Sequence, residues 1–226
     1  NVSIPSYSGS TVGWAGEVDA AKDGAGTFAE VELSPKRLTA YVDISKQFLI
    51  QDSVSAEALL RKDIVDAISN KLEATILGAE AGSTTKPAGL FNAVVADEAD
   101  ITYKDIVAME QKLEEANVSG NITFIASPYA KATLKTTAIG GTKSDVRMLM
   151  DSGEVDGYPV LVTNGMAKKG LILGNFNDLV IGQWGGIDLT VDPYTQAANG
   201  KIRLVVNAYF DAKPQRAASF VKKVLK

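Results

Sequence analysis

With 226 residues, 46% apolar and 22% charged, the chain suffices for one large or two small domains around a sizeable core. A net charge of −4 speaks against a dedicated nucleic-acid binder, and the lack of cysteine excludes disulfides and thiolate chemistry. Histidine is also absent, which removes histidine-based triads, zinc hydrolases and most metal oxygenases, while carboxylate or lysine chemistry stays open.

Residues 1–12 are polar, aperiodic and hold Pro5 and Gly9, so they read as an extended arm. The opening at Asn1, with neither initiator Met nor signal segment, is what a trimmed product would show. "GWAGEV", 13–18, reads as a strand, and "DAAKDGAG", 19–26, as a loose tip. The stretch 27–49 alternates apolar and polar residues in two runs, Phe28 to Leu33 and Leu38 to Ile44, and is expected to return as a strand broken near Pro35. Together 13–51 form one long hairpin, with an expected reach of roughly 40 Å at about 3.3 Å per residue. A lone two-stranded ribbon is marginal in water, so that reach suits burial on another subunit.

The clearest helix is 52–78. Asp52 or Ser53 caps it, and Leu60, Ile64, Ile68, Leu72 and Ile76 recur every four residues as a buried stripe. Arg61, Lys62, Lys71 and Glu73 fall on the solvent side, and Gly78 is placed to end the helix in a left-handed conformation. A loop follows at 81–92. Asp97, Glu98 and Asp100 lack calcium-loop spacing and read as a solvated turn. Thr102 and Asp105 resemble a capping box, "NITFIAS" a buried strand, and Ser127 with Pro128 the start of another helix. Residues 140–157 are loop-like. "YPVLVTN", "GLILGNF", "LVIGQWGGIDLTVD", "KIRLVVNAYFD" and "ASFVKKVL" are strand-forming, the third and fourth as a hairpin. Helices and strands mix without a βαβ rhythm, so the class is α+β.

No catalytic constellation emerges. The glycines of "GWAGEVDAAKDGAG" make neither GxGxxG nor a P-loop. Trp14 and Trp184 suit packing or interface anchoring better than base stacking. Lys36, Arg37 and Lys46 beside Tyr41 are a thin signal for nucleic acid.

The order "IPSYSGSTVGWAGE", "FAEVELSPKRLTAYVDISKQFLIQDS", "GSTTKPAGLF", "FIASPYAKATLK", "GYPVLVTN", "LILGNFNDLVIGQWGGIDLTVDPYT" and "RLVVNAYFDAKPQRAASFV" resembles the major capsid proteins of tailed bacteriophages and prophages, the Hong Kong 97 fold, over about residues 4–222. The resemblance implies an N-terminal arm at 1–12 and an extended hairpin loop at 13–51 lying over a neighbour. It also implies a peripheral domain at 52–88 and 184–226 with the long spine helix, and an axial domain at 89–183. It implies pentamers and hexamers around double-stranded DNA bound without sequence specificity, with portal, scaffold, protease and decoration proteins as partners. No membrane, cofactor, metal or catalytic residue is expected. The setting is the virion, assembled in the bacterial host cytoplasm after loss of an N-terminal scaffolding segment.

Candidate intersubunit contacts are Trp14, Lys22, Phe28, Lys36, Arg37 and Asn199. Some members of the family cross-link a loop lysine to a neighbour's asparagine with help from a glutamate. Lys22 and Asn199 align roughly with that pair, but "IRLVVN" after Asn199 offers no carboxylate, so no cross-link is expected. Two other functions stay in view: an encapsulin-type shell around cargo enzymes, and a carboxylate-based hydrolase, which would need two acids converging on a pocket.

Overall fold

The computed structural model describes residues 1–7, 10–18, 20–51, 55–93, 96–140 and 147–226. It divides into two compact units, Asn1–Ser34 and Pro35–Lys226.

The first unit is an antiparallel ribbon of β1 (Val2–Tyr7) and β2 (Phe28–Leu33), in register from Val2 opposite Leu33 to Tyr7 opposite Phe28. The expected strand at 13–18 does not form; the segment is irregular with a turn at 17–18. Gly13 and Gly16 weaken strand character there, whereas β1 offers Val2 and Ile4 and tolerates Pro5 because it is an edge strand. The arm read as aperiodic therefore supplies the hairpin's first strand. The return strand does break at Ser34–Pro35, but its second half leaves the ribbon, which is shorter than expected: six residues per strand span roughly 20 Å.

The second unit begins with β3 (Lys36–Ser45), α1 (Lys46–Gln51) and α2 (Ser55–Ile76). Then come α3 (Leu90–Ala93), β4 (Ala96–Ala99), α4 (Tyr103–Glu115), β5 (Ile122–Ala126) and α5 (Pro128–Thr136). The remaining strands are β6 (Glu154–Val155), β7 (Tyr158–Val162), β8 (Gly170–Asn175), β9 (Leu179–Gln183), β10 (Asp188–Asp192), β11 (Lys201–Pro214) and β12 (Phe220–Leu225).

Strand β11 organises a four-stranded antiparallel sheet. It pairs with β3 on one side and with β10 and then β9 on the other. Leu204, Val206, Ala208 and Phe210 alternate onto one face and meet Ile64 and Ile68 of α2, with Leu60 and Leu72 at the margins. The four-residue stripe thus buries as expected, each large aliphatic contributing about 1.5–3 kcal/mol. The expected cap at Asp52 or Ser53 lies outside the described residues. Glu73 departs from the solvent face and accepts a hydrogen bond from the Thr163 hydroxyl. Gly78 is not left-handed. A Cβ there would sit 2.5 Å from the Ala74 carbonyl, and one on Gly89 would sit 2.0 Å from the Gly78 carbonyl, so close backbone approach is what needs both glycines.

The second sheet has six strands in the order β4-β12-β8-β5-β7-β6, mixing parallel and antiparallel pairs. Central β8 is buried throughout. Leu171 and Leu173 join the core beneath α4 and α5, whereas Ile172 joins Leu77, Phe91 and Phe220 in a separate cluster. That two-sided burial explains the unbroken apolar run "GLIL". The α+β class holds. Residues 96–99, read as part of a solvated turn, instead pair in parallel with β12. The Thr102–Asp105 capping box forms, with Asp105 accepting from the Thr102 backbone at 2.8 Å and hydroxyl at 2.6 Å. Ser127 caps α5, accepting from Ala130 N at 3.1 Å. Among the described residues, no helix is long and apolar enough to cross a membrane.

Candidate assembly surfaces

Side-chain contacts add to the ladder of the ribbon. The Ser3 hydroxyl donates to Glu30 at 2.8 Å, and the Tyr7 and Phe28 rings lie 4.7 Å apart. Beyond the strands, Thr11 N donates to the Gly24 carbonyl at 2.9 Å, and Gly26 N to the Tyr7 hydroxyl at 2.8 Å. A Cβ on Gly24 would lie 1.9 Å from the Thr11 carbonyl, so this closure requires glycine. The loop then presents large apolar groups to solvent. Trp14 is 98% exposed, Val12 and Val18 are equally bare, and Phe28 is largely uncovered. Lys22 is exposed beside Gly13.

The face of the four-stranded sheet turned away from α2 is polar and aromatic. Arg203 donates to Asp43 through two nitrogens, at 2.6 and 2.8 Å, and its guanidinium lies 4.3 Å from the centre of the Tyr41 ring. Hydrogen bonding by Arg203 holds the Asp43 carboxyl below the usual range. Asn199 is exposed on a single 3-10 turn closed by left-handed Gly200, and its amide donates to Gln196 Oε1 at 2.7 Å. Asp192, the last residue of β10 before the connection that carries Asn199, accepts from the Thr195 hydroxyl and from the backbone of Tyr194 and Thr195. Those bonds keep its carboxyl low.

Of the two adjacent cations, Arg37 is exposed, whereas Lys36 turns inward to Asp211 at 2.6 Å, the two side chains being 10% and 1% exposed. Sequence reading could not separate them, because strand alternation does not reveal which cation finds a buried acid. Trp184 is half-buried.

A carboxylate pair missed in the sequence joins α4 to the turn before β7. Tyr103 donates to Asp156 at 3.1 Å, and Glu110 sits behind it with Oε1 buried. Burial, then the Asp156 and Glu114 carboxylates, push Glu110 up to about 7. Asp156 lines a cavity of about 750 Å³ together with Asp151 and Glu154, whereas Glu110 is not part of that lining. Because the folded state holds this proton more tightly than the unfolded chain, stability falls as pH rises between roughly 4.5 and 7. Glu110→Gln removes the charge. It should stabilise the unassembled subunit at pH 8 by about 1 kcal/mol after solvent screening, some ~2–4 °C in Tm, and much less at pH 4.5. Melting curves at the two pH values check this; an equal shift at both would overturn it.

An exposed aromatic ribbon, a sheet crossed by one long helix and a second mixed sheet under shorter helices define a Hong Kong 97-type capsid fold. The structure matches one described as the capsid of a native GTA particle computed with C5 symmetry, at TM-score 0.77 and 16% identity over 100% of this chain and 84% of that one. It also matches one from Mycobacterium phage Adephagia, at TM-score 0.77 and 12% identity over 100% and 85%. The chain belongs to the phage capsid family, whose pattern covers residues 1–225. It is 26% identical over 200 residues to a major capsid protein of Halomonas phage phiHAP-1, covering 85% of this chain and 32% of that protein. With that of Klebsiella oxytoca phage phiKO2 it shares 24% over 208 residues, covering 83% and 48%. The chain therefore spans about a third to a half of the length of these curated relatives.

Proposed function

We propose that this chain is a structural shell subunit that assembles into the pentamers and hexamers of an icosahedral phage head around double-stranded DNA. The observation that carries the reading is the ribbon loop, with Val12, Trp14 and Val18 bare among the described residues of their own unit. Such groups are stabilised by burial on a neighbour. In this reading Trp14 and Phe28 anchor the contact and Lys22, Arg37 and Asn199 border it. The peripheral domain is 52–88 with 184–226, and 89–183 gathers around the symmetry axes. DNA is held without sequence specificity. Portal, scaffold, protease and decoration proteins join the same assembly, formed in the host cytoplasm and ending in the virion. The phage names of the relatives favour a head over a shell enclosing cargo enzymes.

Electron microscopy of the purified chain tests the reading. Closed particles are expected; monomers alone at every concentration and salt would overturn it. A covalent link between Lys22 and Asn199 would need a carboxylate to take the lysine proton. Asp192 and Asp43, on the strands that flank β11, are both hydrogen-bonded and held below the usual carboxyl range, which makes them weak bases. Particles boiled in detergent should therefore run as one band near the 23.9 kDa of this chain. A denaturation-resistant ladder that vanishes on Lys22→Ala would show the opposite.

A further inference from the structure

A cavity of about 310 Å³ opens where the start of β3 meets the last turns of α2 and the loop at 80–87. Its lining is unusually cationic. Lys36, Arg37, Lys71 and Lys86 all border it, over an apolar wall that includes Phe210. Two of the four are neutralised: Lys36 by Asp211 and Lys86 by Glu80. Arg37 and Lys71 form no ion pair among the described residues, although Lys71 helps lower the Glu80 carboxyl, so with four cations and Glu80 in its lining the cavity keeps a positive excess inside a chain whose net charge is −4.

The opposite imbalance lies in the first unit. Residues 1–34 contain five acids, Glu17, Asp19, Asp23, Glu30 and Glu32, against the single Lys22. Glu30 and Glu32 are both exposed, and as residues two apart on β2 they project from one face, roughly 7 Å from each other. A strand presenting two exposed carboxylates, one of which also accepts from Ser3, complements a cavity whose Arg37 and Lys71 form no ion pair among the described residues. The low-dielectric wall strengthens such pairing relative to open solvent.

We infer that the cationic cavity at Arg37 and Lys71 receives the acidic face of β2 from a second copy of this chain. The inference rests on the shell reading and adds to it a specific seat. Apolar loop contacts supply most of the contact energy, whereas this charge pairing fixes where along the neighbour the ribbon lies. Two consequences follow. Assembly should weaken as salt rises, because exposed charges are screened beyond about 8–10 Å near physiological ionic strength. Reversing one partner should be repaired by reversing the other.

The absence of cysteine makes the contact directly mappable. Two single-cysteine variants, Glu32→Cys with a size tag and Lys71→Cys without one, are mixed under assembly conditions and mildly oxidised. The expected result is a mixed disulfide dimer about tenfold more abundant than with Lys104→Cys, an exposed control on α4. Arg37→Glu with Lys71→Glu should lower particle yield roughly tenfold, and adding Glu32→Lys, which leaves the Ser3–Glu30 contact of the ribbon in place, should restore much of it. A mixed dimer no stronger than the control overturns the inference, and if particles still form, the shell reading stands without it. A charge-reversed chain that assembles normally but loses duplex DNA would assign the cavity to phosphate groups, and the inference falls. If the unmodified chain forms no particles, the shell reading falls and the disulfide alone decides the contact.

Discussion

Lys36→Ala is expected to destabilise the isolated subunit by about 3 kcal/mol, the cost of removing the ammonium that pairs with a buried carboxylate. Asp211 is 1% exposed and sits on β11, the strand on which three others pair. Its carboxylate accepts from Lys36 at 2.6 Å and from Ala212 N at 3.0 Å. Removing the ammonium takes away the cation that faces a carboxylate 1% exposed. For a chain of this size the loss corresponds to ~10 °C in Tm, read from thermal or urea unfolding of unassembled protein. Replacing both partners together, Lys36→Met with Asp211→Leu, should recover most of it, since a paired buried charge and an apolar pair of similar volume are close in free energy. A drop below 1 kcal/mol for the single variant would mean that Asp211 has other compensation.

Trp14→Ser combined with Val12→Ser is expected to abolish particles while leaving the subunit folded. Both side chains are almost fully exposed, so they contribute nothing to the core of their own unit, and circular dichroism and melting should be unchanged. On the proposed reading they are buried on a neighbour, each contributing about 1.5–3 kcal/mol, so removing both weakens every such contact by roughly a hundredfold to ten-thousandfold. Because a closed shell repeats the contact at each subunit, sedimentation should show only small species at concentrations where the unmodified chain forms particles. Normal particle yield from the double variant would remove the ribbon loop from the assembly mechanism.

The elements legible in the sequence were those whose signal is local. The stripe from Leu60 to Ile76, the Thr102–Asp105 box and the Ser127–Pro128 start each follow from a spacing of a few residues, and each is present. The errors arose where strand partners are distant. Residues 13–18 and 2–7 compete for the same position opposite β2, and cross-strand contacts decide it, Ser3 with Glu30 and Tyr7 with Phe28. Residues 96–99 look polar in isolation and become a strand because β12 offers a free edge. The same holds for chemistry. Lys36 and Arg37 are neighbours of one charge, yet only the fold commits Lys36 to Asp211, and only the fold brings Glu110 near Asp156.

The pairing of β3 with β11 sets an order on synthesis. Asp43 and its partner Arg203 are 160 residues apart in sequence, and among the described residues β3 pairs in its sheet with β11 alone. On a ribosome adding ~5–20 residues per second, β3 waits roughly ten seconds or longer before β11 emerges. Throughout that interval Leu38, Val42 and Ile44 have no sheet to close over. Such long-range closure slows folding and leaves a sticky edge available to other nascent chains. A host making many copies at once would thus meet its greatest aggregation hazard before the subunit is complete, and chaperones that bind extended apolar strands would act on this chain early, ahead of any encounter between finished subunits.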